Sequence, residues 1–306
     1  MTKVLIATVK PFAAAAVDQI KSIIAKAGYE SQVFEKYNSE EELLEAVADA
    51  DAMIIRSDKI TPAVIEAAKN LKIVVRAGAG YDNVNLEAAT ANNVVVMNTP
   101  GQNSNAVAEL AIGMMIYQAR NHFNGTSGTE LKGKKLGIHA YGNVGRLVAN
   151  IAKGFGMEIF AFDPFISREK IEAEGVTVCD TAQELYAASD YISLHIPAND
   201  KTKKSINYDL LSNMKDRGVI INTARKEVID ENGLVKIMEE KPNFKYVSDI
   251  APDNQDLLKE KFGTRVFFTP KKMGAQTAEA NINAGIASAN QIIAFLKEGN
   301  TTFKVN

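Results

Sequence analysis

The chain has little with which to cross-link itself, enter a membrane or attract a polyanion. Its 306 residues include one cysteine, Cys179, which excludes an internal disulfide and leaves no thiolate cluster for a metal. No metal site is expected. No apolar run approaches the roughly 18 residues that a membrane span needs, and Met1-Thr2-Lys3 followed by Val4 to Val9 reads as a short strand rather than a signal peptide. Lysine and arginine number 35 against 37 acids, a balance that gives no bias toward nucleic acid or membrane surfaces. A cytoplasmic protein with small-molecule partners is the expectation. Solenoid-period repeats and low-complexity tracts are absent as well.

What is present is a regular alternation of apolar runs and amphipathic helical segments, the pattern of parallel sheets covered by helices. The length suggests about two domains. One set of strands is expected near Val4 to Val9, Ser31 to Glu35, Met53 to Ser57, Ile73 to Arg76 and Val94 to Met97. Ser39 with Glu42 three residues on reads as a capping box, and Thr61-Pro62 places proline in a first helical turn. A second set runs through Leu136 to Ala140, Ile159 to Phe162, Tyr191 to Ile196, Val219 to Asn222, Lys245 to Asp249 and Val266 to Thr269. Between the sets, Ser104 to Arg120 is apolar on nearly every face and is expected to be a crossover helix buried all round. Asn121 to Gly133 reads as a polar surface loop, and Ala278 to Lys297 as the last helix.

The most informative stretch is Lys135 to Asp163. A strand at Leu136 to Ala140 leads into Ala140-Tyr141-Gly142-Asn143-Val144-Gly145, a G-x-G-x-x-G turn with alanine at the first glycine position. Without a Cβ at Gly142 the backbone can approach a pyrophosphate, whose charge the first N–H groups of the next helix then meet. Val144, Leu147, Val148, Ile151, Ala152 and Phe155 give that helix one apolar face. Asp163 ends the following strand about 20 residues beyond the glycines, where an acid accepts hydrogen bonds from ribose hydroxyls and repels a 2′-phosphate, so NAD is expected rather than NADP. Ala140 is expected to be tolerated provided its φ stays negative.

Matches spread along nearly the whole chain make it resemble the D-isomer-specific 2-hydroxyacid dehydrogenases, and within them the short phosphoglycerate dehydrogenases that lack a C-terminal regulatory domain. They include Arg56-Ser57, Val75 to Val84, Val96 to Ser104, Leu131 to Lys134, Ser193 to Pro197, Ile221 to Arg225 and Gly274 to Ala280. The resemblance implies two doubly wound α/β parallel-sheet domains: a flavodoxin-like substrate domain of residues 1–100 plus 283–306, and a Rossmann NAD-binding domain of residues 101–282. It implies substrate binding in the cleft between them and association as a homodimer. The implied reaction is NAD-dependent oxidation of 3-phosphoglycerate to 3-phosphohydroxypyruvate, the first step of serine biosynthesis. A dehydrogenase for glyoxylate, hydroxypyruvate or another small 2-keto acid is the alternative enzyme.

By the same resemblance Arg225 grips the substrate carboxylate, and Arg56, Ser57, Arg76, Ala77 and Gly78 bind substrate, with Lys59 a further phosphate candidate. Asn98, Tyr141, Gly142, Asn143, Val144, Asp163, His195, Pro197, Thr202, Thr223, Ala224, Asp249 and Gly274 fall on cofactor-binding positions. One departure concerns the general base. Where the family has Pro-His, this chain has Thr269-Pro270-Lys271-Lys272-Met273-Gly274, which sets Lys272 at the histidine position if counted back from Gly274, or Lys271 if anchored on Pro270. His122, His139 and His195 are each better read as packing or cofactor contacts. A lysine acts as base only if its pKa falls below the usual value of about 10.4, through burial or a neighbouring cation such as Arg225. The family glutamate that pairs with the histidine is also replaced, by Asn254 or, one residue off, by Asp253. With both positions changed, a protein that binds NAD and a metabolite without turnover is the reading from a different class.

Overall fold

The computed structural model describes residues 1–306 as two compact units, Met1–Asn103 with Gln276–Asn306, and Ser104–Ala275. The sequence places the breaks after residues 100 and 282. They fall instead at 103 and 275, because one helix begins at Ser104 and the final helix, Ala278–Glu298, lies wholly in the first unit.

The first unit carries five strands, β1 (Lys3–Thr8), β2 (Glu30–Glu35), β3 (Ala52–Ile55), β4 (Ile73–Arg76) and β5 (Val95–Asn98). All pair in parallel in the order β2-β1-β3-β4-β5. Both faces are buried, as the period of two requires: Val4 and Ile6 enter one apolar cluster with Ile20 and Ile292, while Leu5 and Ala7 enter another with Leu43 and Val64. The helices α1 (Ala14–Lys26), α2 (Glu40–Val47), α3 (Pro62–Ala67) and α4 (Leu86–Ala91) supply the cover. Ser39 caps α2 by accepting the Glu42 N–H at 3.4 Å. The Glu42 carboxylate reaches one residue further back than a strict capping box, to the Asn38 N–H. Thr61 caps α3 with Pro62 in its first turn.

A buried carboxylate ties the strand ends of this unit together. Asp58 is 5% exposed; it accepts the Val9 N–H at 2.6 Å and the Tyr37 hydroxyl at 2.8 Å on one oxygen, and the Arg56 N–H at 3.1 Å on the other. The two main-chain donors follow β1 and β3, the pair between which the strand order reverses, so Asp58 ties together the edges of the crevice where open α/β sheets bind ligands.

The second unit has seven strands, β6 (Lys135–His139), β7 (Glu158–Phe162), β8 (Thr177–Val178), β9 (Tyr191–Leu194), β10 (Val219–Asn222), β11 (Lys245–Ser248) and β12 (Val266–Phe268). They form one parallel sheet in the order β12-β11-β10-β9-β6-β7-β8, reversing between β6 and β9. β8 is not foreseen from sequence; its two residues are too short to show a period. The helix α5 (Ser104–Ala119) packs against α6 (Asn143–Gly154) and buries Ala108, Ala111, Ile112, Met114 and Met115. It is not buried all round, because Asn105, Glu109 and Gly113, each one turn apart, form an exposed edge. The loop after it opens with a left-handed turn at Asn121, His122 and Phe123, in which His122 stacks on Tyr117 at 4.6 Å. No helix is long and apolar enough to cross a membrane.

Asp58→Ala is expected to cost about 2–4 kcal/mol of stability, since three part-buried donors lose their acceptor together. Urea denaturation of the variant checks this; a loss below about 0.5 kcal/mol would mean that those donors find other partners.

Candidate active site

The passage from β6 to α6 has the geometry of a phosphate cradle. Gly142 is the N-cap of α6 and no side chain caps the helix, unlike α2, α3 and α4, whose first turns are closed by Ser39, Thr61 and Asn85. The first N–H groups of α6, including those of Asn143 and Val144, therefore have neither an intrahelical acceptor nor a side-chain cap. A Cβ added at Gly142 meets nothing within 4 Å, so the space beside it is open to a ligand. Gly145 serves a different need: a Cβ there would stand 2.4 Å from the Ala140 carbonyl oxygen and 2.8 Å from Ile138. Its absence lets α6 lie close on β6.

Ala140 corrects one expectation. Its φ is +76°, so the residue holds the left-handed conformation that a glycine would adopt freely, at a cost of about 1–2 kcal/mol. The turn keeps the glycine-type backbone even where the glycine is replaced. Asp163 follows β7 as expected and is oriented by main-chain donors, the Tyr141 N–H at 2.7 Å and the Phe165 N–H at 2.8 Å. Tyr141 commits both of its donors inside the protein, because its hydroxyl bonds Glu174 at 2.8 Å. It shapes the turn and has no donor left for a ligand.

A second cluster sits at the ends of β10, β11 and β12. Asn222, which sequence reasoning passed over, organises it: its Oδ1 accepts the Ala224 N–H at 3.0 Å, and its amide donates to the Arg225 carbonyl at 3.0 Å and the Tyr246 hydroxyl at 3.2 Å. An asparagine at a strand end before Thr-Ala-Arg is an Asx-turn signal that could have been read. The turn brings two cations onto one oxygen, since the Ala224 carbonyl accepts from Arg225 Nη1 at 3.0 Å and from Lys272 Nζ at 3.3 Å. Lys272 is exposed. The burial expected around it is missing, and Arg225 shares its acceptor.

Asp249 lies beneath this pair. It is fully buried, and its Oδ2 accepts the Gly274 N–H at 2.9 Å, while Oδ1 has no partner in the protein. Burial raises its pKa; the Gly274 N–H, Lys272, the Met273 N–H and Arg225 all act in the opposite direction without reversing the shift. The Thr223 hydroxyl is likewise buried without a partner. Buried polar atoms left unsatisfied are costly in an otherwise satisfied interior, and both fit donors and acceptors of a bound molecule. Asp253 does not replace the family glutamate here: its carboxylate pairs with Lys226 instead. Asn254 donates its N–H to Glu231 at 3.0 Å.

The remaining cofactor positions fall into support roles. Thr202 fastens its own loop, donating its hydroxyl to the Pro197 carbonyl at 2.5 Å and accepting the Asn199 N–H at 2.8 Å. His195 pairs with Ser193 at 2.9 Å, and burial, with some repulsion from His139, pushes its pKa down to about 3. His139 pairs with Tyr186 at 3.2 Å; burial lowers it to about 4 against the pull of Asp163. His122 bonds Gln118 at 2.8 Å. Each of the three histidines is thus tied to a neighbouring side chain.

In the first unit the two arginines part company. Arg56 is committed: its guanidinium donates to the carbonyls of Lys10 and Pro11 at 3.0 Å each and to Asn281, and lies 5.1 Å from the Phe12 ring centre. It is neither a solvated charge nor an open anion contact, and its burial lowers its pKa despite Asp58. Arg76 folds over Gly78, where a Cβ would come within 1.7 Å of it, and donates to the Arg56 carbonyl at 3.0 Å. The Gly78 φ of +148° also favours glycine. Arg76 lines a groove of about 580 Å³ with Ser57, Lys59, Asn83 and the acid Asp82. Ala77 has its N–H committed to the Ile55 carbonyl at 2.8 Å, so its main-chain donor is not available to substrate. Asn98 bonds the Ala79 carbonyl at 2.6 Å.

The family model of the D-isomer specific 2-hydroxyacid dehydrogenase NAD-binding domain matches residues 105–270, more than half the chain. The chain belongs to this dehydrogenase family. Its second unit is the family's NAD-binding domain, and the open space at Gly142 and the unpartnered Asp249 oxygen fit such a ligand. The chain is 38% identical over 272 residues to a D-3-phosphoglycerate dehydrogenase of Methanocaldococcus jannaschii, covering 83% of this chain and 51% of that one. It is 35% identical over 280 residues to a hydroxypyruvate reductase of Thermotoga maritima, covering 86% and 90%. The crystal structure of an NAD+-bound 3-phosphoglycerate dehydrogenase of Entamoeba histolytica matches with a TM-score of 0.90 and 47% identity, over 100% of this chain and 98% of that one. The chain spans about half the length of the curated phosphoglycerate dehydrogenases it matches.

Substitutions at two positions separate folding from cofactor binding. Gly142→Ala is expected to weaken NADH binding by about tenfold or more, a loss of at least 1.4 kcal/mol, while the thermal midpoint holds, because the added Cβ meets no protein atom within 4 Å; NADH fluorescence titration reads it. At Ala140 the order is reversed. Ala140→Val is expected to destabilise by about 2 kcal/mol, since a β-branched residue resists positive φ, and Ala140→Gly to stabilise by about 0.5 kcal/mol, strain relief outweighing the added freedom of the unfolded chain. Calorimetry that ranked valine above glycine would contradict the left-handed turn.

Proposed function

We propose that the protein catalyses NAD-dependent interconversion of 3-phosphoglycerate and 3-phosphohydroxypyruvate, at the head of serine synthesis. The observation that carries this reading is the pairing of Arg225 and Lys272 on the Ala224 carbonyl, one permanent cation and one titratable amine at the strand-end position where α/β folds bind ligands. The two cations share a main-chain acceptor. A substrate carboxylate is a stronger one, and Arg225 would hold it in bidentate fashion.

NAD, when bound, supplies a nicotinamide ring that accepts a hydride. Lys272 in its neutral form takes the proton from the C2 hydroxyl as the C2–H bond breaks, and in its charged form returns it when the keto acid is reduced. Arg225 polarises the C2 oxygen. Gly142, Asn143 and Val144 present main-chain N–H groups to the pyrophosphate, Asp163 accepts from ribose hydroxyls, and Asp249 accepts from the nicotinamide amide. Arg76 and Lys59, in the first-unit groove with Ser57, are the cations suited to a phosphate; Arg56 is not, given its internal bonds.

Reduction of hydroxypyruvate or glyoxylate is the second reading. It is favoured by the similarity to a hydroxypyruvate reductase over 90% of that protein and by the commitment of Arg56. NADH oxidation between pH 6 and 10 with phosphorylated and unphosphorylated keto acids decides between the two. Under the first reading Lys272→Ala lowers kcat by about 10²–10⁴-fold and Lys271→Ala does not, while Arg76→Ala reduces kcat/KM about tenfold or more for the phosphorylated acid only. Equal loss on both acids would favour the second reading. No turnover by the unaltered protein, with NADH still bound, would favour a binding protein.

A further inference from the structure

The Tyr141 hydroxyl donates to Glu174 Oε2 at 2.8 Å in a corner of the molecule that none of the chemistry above requires. Glu174 belongs to the turn between α7 (Arg168–Glu172) and β8. Its other carboxylate oxygen lies 3.5 Å from Arg146 Nε in the first full turn of α6, and its main-chain carbonyl accepts from Lys153 in the last turn of the same helix. The Arg146 guanidinium lies 5.8 Å from the Tyr141 ring centre. Glu174 is thus held by both ends of α6 and in turn holds the residue that precedes Gly142.

Tyr141 stands between two demanding neighbours, Ala140 with its φ of +76° and Gly142 at the helix cap. It is 1% exposed, fixed at its hydroxyl by Glu174 and at its N–H by Asp163. That second bond also orients the acid expected to meet the ribose. Alanine does not favour the left-handed turn by itself, so the turn needs support from outside its own backbone. Burial and the bond to Glu174 raise the phenol pKa above its usual range, which keeps it a donor across working pH.

We propose that Glu174 is a positioning residue for the dinucleotide site, acting through the Tyr141 hydroxyl to hold the turn and Asp163 in their binding geometry. The consequence is a link between the α7–β8 turn and cofactor affinity, without contact between Glu174 and the cofactor.

NADH fluorescence titration of the full chain, paired with thermal unfolding, tests this. Tyr141→Phe, which keeps the buried ring, and Glu174→Ala are each expected to raise the NADH Kd about five- to tenfold. Glu174→Gln, which keeps an acceptor, restores it to within about twofold. The double variant Tyr141→Phe/Glu174→Ala should be no weaker than the worse single one, since both remove the same bond. A Kd unchanged in Tyr141→Phe, or additive losses in the double variant, would overturn the proposal, as would a lowered thermal midpoint with unaltered affinity. If Glu174→Ala fails to fold, Tyr141→Phe and Glu174→Gln alone decide it. Because the readout is NADH binding, it does not depend on which keto acid the protein reduces.

Discussion

The passage from β6 into α6 is the constraint on which the cofactor end of the second unit depends. A strand buried on both faces must turn sharply into a helix that lies close enough to cover it, and the closeness is set at Gly145, where even a methyl group would strike the Ala140 carbonyl. The turn that permits this places Ala140 in the left-handed region and leaves the first helical N–H groups without a side-chain cap. Packing and anion binding therefore arise from one backbone path. The stability given up in the strained residue and the uncapped helix start is returned when a negatively charged group fills the cradle.

A similar economy governs the ends of β10 to β12. Asn222 bends the chain so that the Ala224 carbonyl faces both Arg225 and Lys272, and the buried Asp249 sits under the two cations with one oxygen still unpartnered. A histidine base would require a carboxylate to support its charged form. With a lysine the requirement is reversed, since the amine must be able to lose its proton, and a close ionised acid would oppose this. Asp253 pairs away, with Lys226, and burial raises the pKa of Asp249.

Much of this was legible in the residues. The apolar runs of β1, β4, β6 and β10 are long and uniform enough to announce themselves, and Gly142, Gly145 and Asp163 fix the dinucleotide turn by spacing alone. The limits have physical causes. β8 has two residues and no period to read. The exposed edge of α5 escaped notice because Asn105, Glu109 and Gly113 are single positions in an otherwise apolar helix, and only packing shows that they align. Arg56 and Arg76 look alike in sequence, each ending a strand, yet one is bound into the 10–12 loop and Asn281 while the other lines a groove.

The sequence by itself determined the two parallel sheets and the dinucleotide turn, because each rests on local periodicity or on residue identity at short spacing, and its separated motifs carried the resemblance to the family. Tertiary structure alone decided the φ of Ala140, the internal commitment of Arg56, the exposure of Lys272 and the Tyr141–Glu174 bond. Those depend on which groups distant in the chain come within hydrogen-bonding distance, and Glu174 lies 33 positions from Tyr141, far beyond any spacing rule.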